Sequence, residues 1–183
     1  FGRLGYRLLV LPVQRVRDEY SLITAQSARK AGYIYLAGWL EKAEQLWAKH
    51  RRAKAERISI YQRLDRSRGI TLQNPKARYR VLYNTSGTIL CAAAVEQRAI
   101  AFKVGQQKLK AAGFVADTKT YYFESETLSE CNYLAAVLNA PHVDQLIKPM
   151  QSRGLWGARD IHKKVLELPI PKFDPGNEAH VRL

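Results

Sequence analysis

Lys49, Arg51, Arg52, Lys54 and Arg57 crowd their cations into one short stretch of the chain. Like charges this close repel one another unless anions lie between them, and each phosphate they neutralise releases counterions. The stretch therefore reads as a solvent-facing cluster in which Arg51, Arg52, Lys54 and Arg57 contact phosphates; the alternative is an ordinary solvated helix face. A second cluster, Arg153, Arg159, Lys163 and Lys164, surrounds Trp156 together with Gly154, Gly157 and Ala158. Guanidinium forks match guanine edges and phosphates, and glycines let a backbone approach closely. Arg153, Trp156 and Arg159 are thus candidate groove contacts, flanked by Lys163 and Lys164. An equal reading has Trp156 plugging a core and Arg159 pairing with Asp160.

Other chemistries find less support. Asp117-Thr118-Lys119 has the D-x-K form that holds a metal ion beside a lysine in nucleases, and Glu96 is the nearest upstream acid. A turn between two strands is the simpler reading. His142 and His162 stand apart from each other and from any nucleophile, so neither is assigned a catalytic role. No nucleotide-binding P-loop occurs, and Phe1-Gly2-Arg3-Leu4-Gly5 lacks the spacing and preceding strand of a Gly-rich cofactor turn. Cys91 and Cys131 have no Cys or His at metal-ligand spacing, which encodes neither a zinc site nor a disulfide framework and fits a reducing cytoplasm.

The whole composition favours an anionic partner. The 183 residues are 46% hydrophobic and 25% charged, enough for a sizeable core in one or two domains. Lys and Arg number 30 against 16 Asp and Glu, a formal charge of +14 that solubility alone does not require. No run approaches the roughly 18 apolar residues of a membrane span, and the first twenty or so residues lack a signal-peptide cleavage site. A membrane or secreted protein is not expected. The chain starts at Phe1 rather than Met, as expected of a fragment whose remainder holds the chemistry.

Elements must hold these clusters in place. Leu8 to Val13 reads as a short strand despite Pro12. Leu36, Trp39, Leu40, Ala43 and Trp47 recur on one face of a helix that must end or leave its core beyond about Lys49. A second helix is predicted over Ile58 to Arg66. The period changes at Asn74-Pro75, where Tyr79, Val81 and Tyr83 alternate with Arg78, Arg80 and Leu82. With Asn84-Thr85-Ser86-Gly87 as its tip and Thr88 to Val95 as its return, this is a β-hairpin. Strands are expected at Phe114 to Ala116 and Thr120 to Phe123, while Gln97 to Ala112 is too mixed to assign. Thr127-Leu128-Ser129-Glu130 has the form of a capping box opening a helix that ends at Asn139 before Pro141. Val143 to Ile147 gives a shorter helix closed by Pro149, and Val165 to Pro171 suits an edge strand or a covering segment.

Arg153 to Asp174, RGLWGARDIHKKVLELPIPKFD, and Tyr133 to Pro141, YLAAVLNAP, resemble the C-terminal region of adenine-specific DNA methyltransferases of bacterial and archaeal restriction-modification systems. GWLEKAEQLW from Gly38 to Trp47, Tyr61 to Asp65 and RVLYNTSGTILCAAAV from Arg80 to Val95 look like the same family in the same order. The resemblance implies that S-adenosylmethionine binding and the Asn-Pro-Pro-aromatic motif for a flipped adenine belong to an upstream domain. Here Asn74-Pro75 is followed by Lys76, without the second proline or the aromatic. The implied identity is a non-catalytic target-recognition region that binds double-stranded DNA beside an upstream methyltransferase domain of the same polypeptide, with no cofactor of its own and no membrane. A scaffold docking catalytic and restriction parts through the Trp39 and Trp47 face, and an RNA-binding module, are the alternatives. The expected fold is α+β: an N-terminal strand and helical segment over residues 1–73, then a mixed strand-and-helix recognition-type domain over 74–183.

Overall fold

In a computed structural model the protein is α+β, with short helices and small antiparallel sheets; residues 9–117, 119–154 and 157–183 are described. The chain divides into two compact units, Phe1–Lys76 and Ala77–Leu183.

The first unit starts later than the apolar run suggests. Pro12 has no N–H to give a ladder, and Leu9 and Val10 are exposed, so the strand β1 is Val13–Val16, paired with β2, Glu19–Leu22. Next comes a helix that the sequence reading missed, α1 (Ala25–Lys30). Thr24 caps it: its Oγ1 accepts from Ser27 N–H at 3.1 Å, and Ser27 Oγ accepts from Thr24 N–H at 2.7 Å. Gly32 then takes a left-handed φ of 82° and the chain enters α2, Ile34–His50. Ala28 of α1 and Ala37 of α2 are both fully buried, and Leu40 and Ile23 complete this small core. Trp39 stays outside this core, which corrects the expected apolar face: it is 48% exposed, whereas the neighbouring Leu40 is buried. The next helix is also shorter than expected, α3 (Ile60–Leu64), because Ser59 and Gln62 form a capping box at its start and Asp65 leaves the helical region at its end.

The second unit is built on a sheet of order β4-β3-β7, from β3 (Tyr79–Asn84), β4 (Ala92–Glu96) and β7 (Thr120–Ser125). The β3–β4 hairpin is as the alternation indicates. One face carries Val81 and Tyr83 against α4 (Leu128–Leu138) and α5 (Pro141–Ile147), through Cys131, Leu138, Val143 and Ile147. The edge strand β4 is clamped by the end of α4, where Asn139 both accepts from Ala92 N–H and donates to Ala92 C=O at 2.8 Å. Asp144 accepts from Leu90 N–H at 2.9 Å beside it, so the backbone groups at the start of this edge are paired. The other face holds Leu82, Val95 and the fully buried Arg80 beneath Phe114 and Ala116. Phe114 to Ala116 is irregular rather than a strand: Gln97 accepts from Phe114 N–H and donates to its C=O, taking the place of a neighbouring strand.

The unassigned stretch contains a separate two-stranded ribbon, β5 (Ile100–Val104) with β6 (Gln107–Ala111). Thr127 stands at the N-cap of α4 but its side chain makes no cap bond; Ser125 Oγ instead accepts from Thr127 N–H at 3.0 Å and donates to Glu130. The expected edge strand at Val165 begins as a 3-10 turn, His162–Glu167, although Val165 is buried and Leu168 and Ile170 cover the core. Two short strands, β8 (Arg153–Gly154) and β9 (Gly157–Ala158), pair before it, and α6 (Glu178–Arg182) ends the chain.

Candidate nucleic-acid interface

In the first unit the cations sit on a clamped loop. The helix α2 stops at His50 because Arg51 turns extended, at φ −66° and ψ 142°. Arg52 then opens a 3-10 turn, Ala53–Ala55. Trp47 closes the loop from inside, its indole N–H donating to Ile58 C=O at 2.7 Å while its own C=O accepts from Arg51 N–H at 2.8 Å. Arg52, Lys54 and Arg57 are exposed and Arg51 is half-buried. None of the four pairs with a carboxylate among the described residues, and Glu56 is the one acid in the stretch, so a net positive charge remains on the loop. The C-terminal end of α2 adds Lys49 and His50, which complement its helix dipole.

The same unit exposes three arginines that the sequence reading passed over, Arg63, Arg66 and Arg68. Ser67 and Arg68 take left-handed backbone, φ 55° and 58°, at a cost of about 1 kcal/mol or more each. Asp65 holds the turn, accepting from Ile70 N–H at 2.8 Å, Thr71 N–H at 3.0 Å and the Thr71 hydroxyl at 2.7 Å. An acid set among arginines, Asp65 between Arg63 and Arg66 and ahead of Gly69, was the readable signal for this turn.

In the second unit Arg159 is fixed by its backbone among three loops. Its N–H donates to Ser152 C=O at 3.1 Å and its C=O accepts from Gly87 N–H at 2.6 Å. Gly87 has φ +144°, and a Cβ there would lie 2.9 Å from the Asn84 amide, so the close approach depends on glycine. Ser86 bridges Asp160, and Ile161 N–H donates to Thr85 C=O at 3.1 Å. Thr85 in turn donates from its N–H and its hydroxyl to Lys119 C=O, both at 3.2 Å. The exposed side chains of Arg159 and Lys119 are thereby brought to one loop cluster at the β3–β4 tip.

Lys163 is exposed on the 3-10 turn that follows, and Lys164 pairs with Glu167 at 3.3 Å, which reduces its availability. Arg153 lies in β8 opposite Ala158, and Trp156 lies outside the described residues. The clusters 51–57 and 153–164 belong to different units.

The nuclease triplet does not assemble with its proposed acid. Glu96 pairs with Tyr79 at one end of β3, whereas Thr120, beside Lys119, pairs with Asn84 at the other. At about 3.4 Å per residue this separates the two ends by roughly 17 Å. Asp117 Oδ1 accepts from Lys119 N–H at 2.8 Å, a turn-making bond, and Thr118 lies outside the described residues. Asn74-Pro75-Lys76 is likewise a turn, with Asn74 Oδ1 accepting from Lys76 N–H at 2.9 Å. No cluster of His, Cys, Asp and Glu suited to a metal ion occurs among the described residues, and none of their helices is long and apolar enough to cross a membrane.

Comparison with protein-family models, curated proteins and solved structures returned no match for this chain.

Proposed function

We propose that this chain is the DNA-binding, target-recognition part of a restriction-modification adenine methyltransferase, and that it performs no chemistry itself. The observation that carries the reading is the Trp47-clamped loop, which presents Arg52, Lys54 and Arg57 to solvent without a carboxylate partner among the described residues. Such a loop binds the sugar-phosphate backbone of any sequence. Arg159, held rigidly by Ser152 and Gly87 beside Lys119, is suited to the sequence-dependent contact. The resemblance supplies the rest: an S-adenosylmethionine-binding methyltransferase domain in the same polypeptide would carry out methyl transfer on the DNA held here.

Selection from a random duplex pool, followed by sequencing of the bound fraction, tests the division of labour. Arg52→Gln weakens every sequence by the same factor, and Arg159→Ala flattens one position of the enriched motif. Equal effects of Arg159→Ala on selected and random duplexes would remove its base-reading role.

A second reading is favoured by one observation. Tyr35, Trp39 and Leu46 recur at helical spacing along α2, and all three are exposed. This stripe suits docking onto a catalytic or restriction part of the same system. Trp39→Ser then abolishes the association with that part and leaves DNA binding unchanged.

A further inference from the structure

The β5–β6 ribbon stands apart from the three-stranded sheet and contributes no residue to the buried clusters of its unit. Its register sorts its side chains sharply. Ile100, Phe102 and Val104 face Ala111, Leu109 and Gln107 across the pair, while Ala101 and Lys103 face Lys110 and Lys108. Opposed residues of an antiparallel pair share a face, so one face is apolar and the other carries Lys103, Lys108 and Lys110. The turn is tight, with Gly105 at φ +59° followed by Gln106, a two-residue connection whose left-handed glycine preserves the strand twist.

Lys103 lies directly opposite Lys108, and Lys110 follows two residues later on the same face. Like charges in direct cross-strand opposition destabilise a ribbon. All three lysines are exposed, and none pairs with an acid among the described residues. A polyanion along this face would relieve the repulsion. The dimensions select the kind of polyanion. Two strands about 4.8 Å apart make a ribbon that enters the roughly 12 Å major groove of B-form DNA. The major groove of an RNA duplex is too deep and narrow for protein side chains to read.

We propose that the β5–β6 ribbon is an arm that lies along the major groove of duplex DNA, with Lys103, Lys108 and Lys110 on its phosphates. The proposal rests on the DNA-binding reading above and adds a contact surface that neither cationic cluster contains. Three phosphate contacts contribute about 2.7 to the log–log slope of affinity against salt. Between 50 and 200 mM salt this is about a 40-fold difference in how much affinity is lost.

The test uses the 183-residue chain and a fluorescent random-sequence DNA duplex. K103Q/K108Q/K110Q is compared with K30Q/K42Q/K172Q, which removes the same charge from exposed positions elsewhere. The ribbon variant is expected to lower the salt slope by about 2.7 with its melting temperature unchanged or raised, since a like-charge pair is gone. The control variant is expected to lower the slope by less than about 1. Equal slopes for the two variants, or a ribbon variant with the parent slope, overturn the arm while leaving the DNA-binding reading intact. Loss of binding to an RNA duplex with DNA binding unchanged also overturns it. Failure of the parent chain to bind DNA at all overturns the reading and the arm together.

Discussion

Arg80 offers the most demanding test of how the second unit is held together. Its guanidinium is fully buried, donates to Glu124 Oε1 from Nη2 at 3.0 Å and from Nε at 3.1 Å, and donates to Phe114 C=O at 3.1 Å. Arg80 and Glu124 are direct cross-strand partners on β3 and β7. Arg80→Met leaves the carboxylate without its cation, but the Glu124 side chain is 23% exposed and recovers some hydration. The cost therefore falls at the lower end of the range for breaking a buried pair, about 3 kcal/mol. Glu124→Leu is worse, at about 4 to 5 kcal/mol, because a guanidinium cannot discharge itself by losing a proton. Arg80→Met/Glu124→Leu costs less than either single change, because no buried charge remains uncompensated. Thermal unfolding, with amide exchange over Tyr79–Asn84 assigning the transition to this unit, reads the series. At about 4 °C or more per kcal/mol for a unit of this size, Arg80→Met lowers the midpoint by roughly 12 °C. A double variant whose loss equals the sum of the two singles would show that Arg80 and Glu124 do not stabilise this unit as a pair.

Other consequences follow from the same contacts. Tyr61 donates to Glu44 and accepts from Ala25 N–H at 2.9 Å. Burial and the bond to Glu44 push its phenol up from 10.0 to about 12. A raised folded-state value favours the protonated phenol, so its contribution is complete below pH 10 and is lost as the pH climbs from 10 toward about 12. Tyr61→Phe melts lower than the parent at pH 8, and the difference shrinks across that alkaline window; a constant difference would contradict the assignment. Burial and the neighbouring Glu130 push the Cys131 thiol up to about 11, whereas Cys91 is exposed. A thiol reagent at pH 8 should label one cysteine rapidly and the second only on unfolding; equal rapid labelling of both would contradict the buried placement of Cys131. If the loop binds DNA as proposed, Arg52→Gln lowers the log–log salt slope of affinity between 50 and 200 mM by the share of one phosphate, about 0.9. A slope unchanged by that substitution would remove the loop from the interface.

The sequence was most legible where one signal acted alone. Alternation from Tyr79 to Tyr83 with a polar tip was enough for the β3–β4 hairpin, and Asn139-Pro141 for the end of α4. Reading failed where tertiary contacts choose between equivalent local signals. Trp39 has helical spacing as good as Leu40, but the small core shared by α1 and α2 takes Ala37 and Leu40 and leaves Trp39 exposed. Thr127-to-Glu130 satisfies the capping pattern, yet the Ser125 hydroxyl takes both the Thr127 N–H and the Glu130 carboxylate. Phe114 to Ala116 has the residues of a strand, but the Gln97 amide satisfies the Phe114 backbone first. The β5–β6 ribbon was readable in principle from Gln107-Lys108-Leu109-Lys110-Ala111, where a strict period of two follows a glycine turn. Its lysines hid it, because charge on one face lowers the apparent strand character of the whole segment. At the candidate interface, composition pointed to the cations around 51–57 but not to the indole bond from Trp47 that closes their loop.

On the proposed reading this chain binds duplex DNA through its phosphates, and the salt dependence of binding is the decisive quantity. Contacts from Arg51, Arg52, Lys54 and Arg57 alone require a log–log slope of about −3.6, steeper with the ribbon engaged. Binding to a random duplex at 50 mM salt that weakens with at least that slope is the predicted result. A chain that binds no duplex at low salt, or binds with a slope near zero, would contradict the claim and assign the positive charge to another partner.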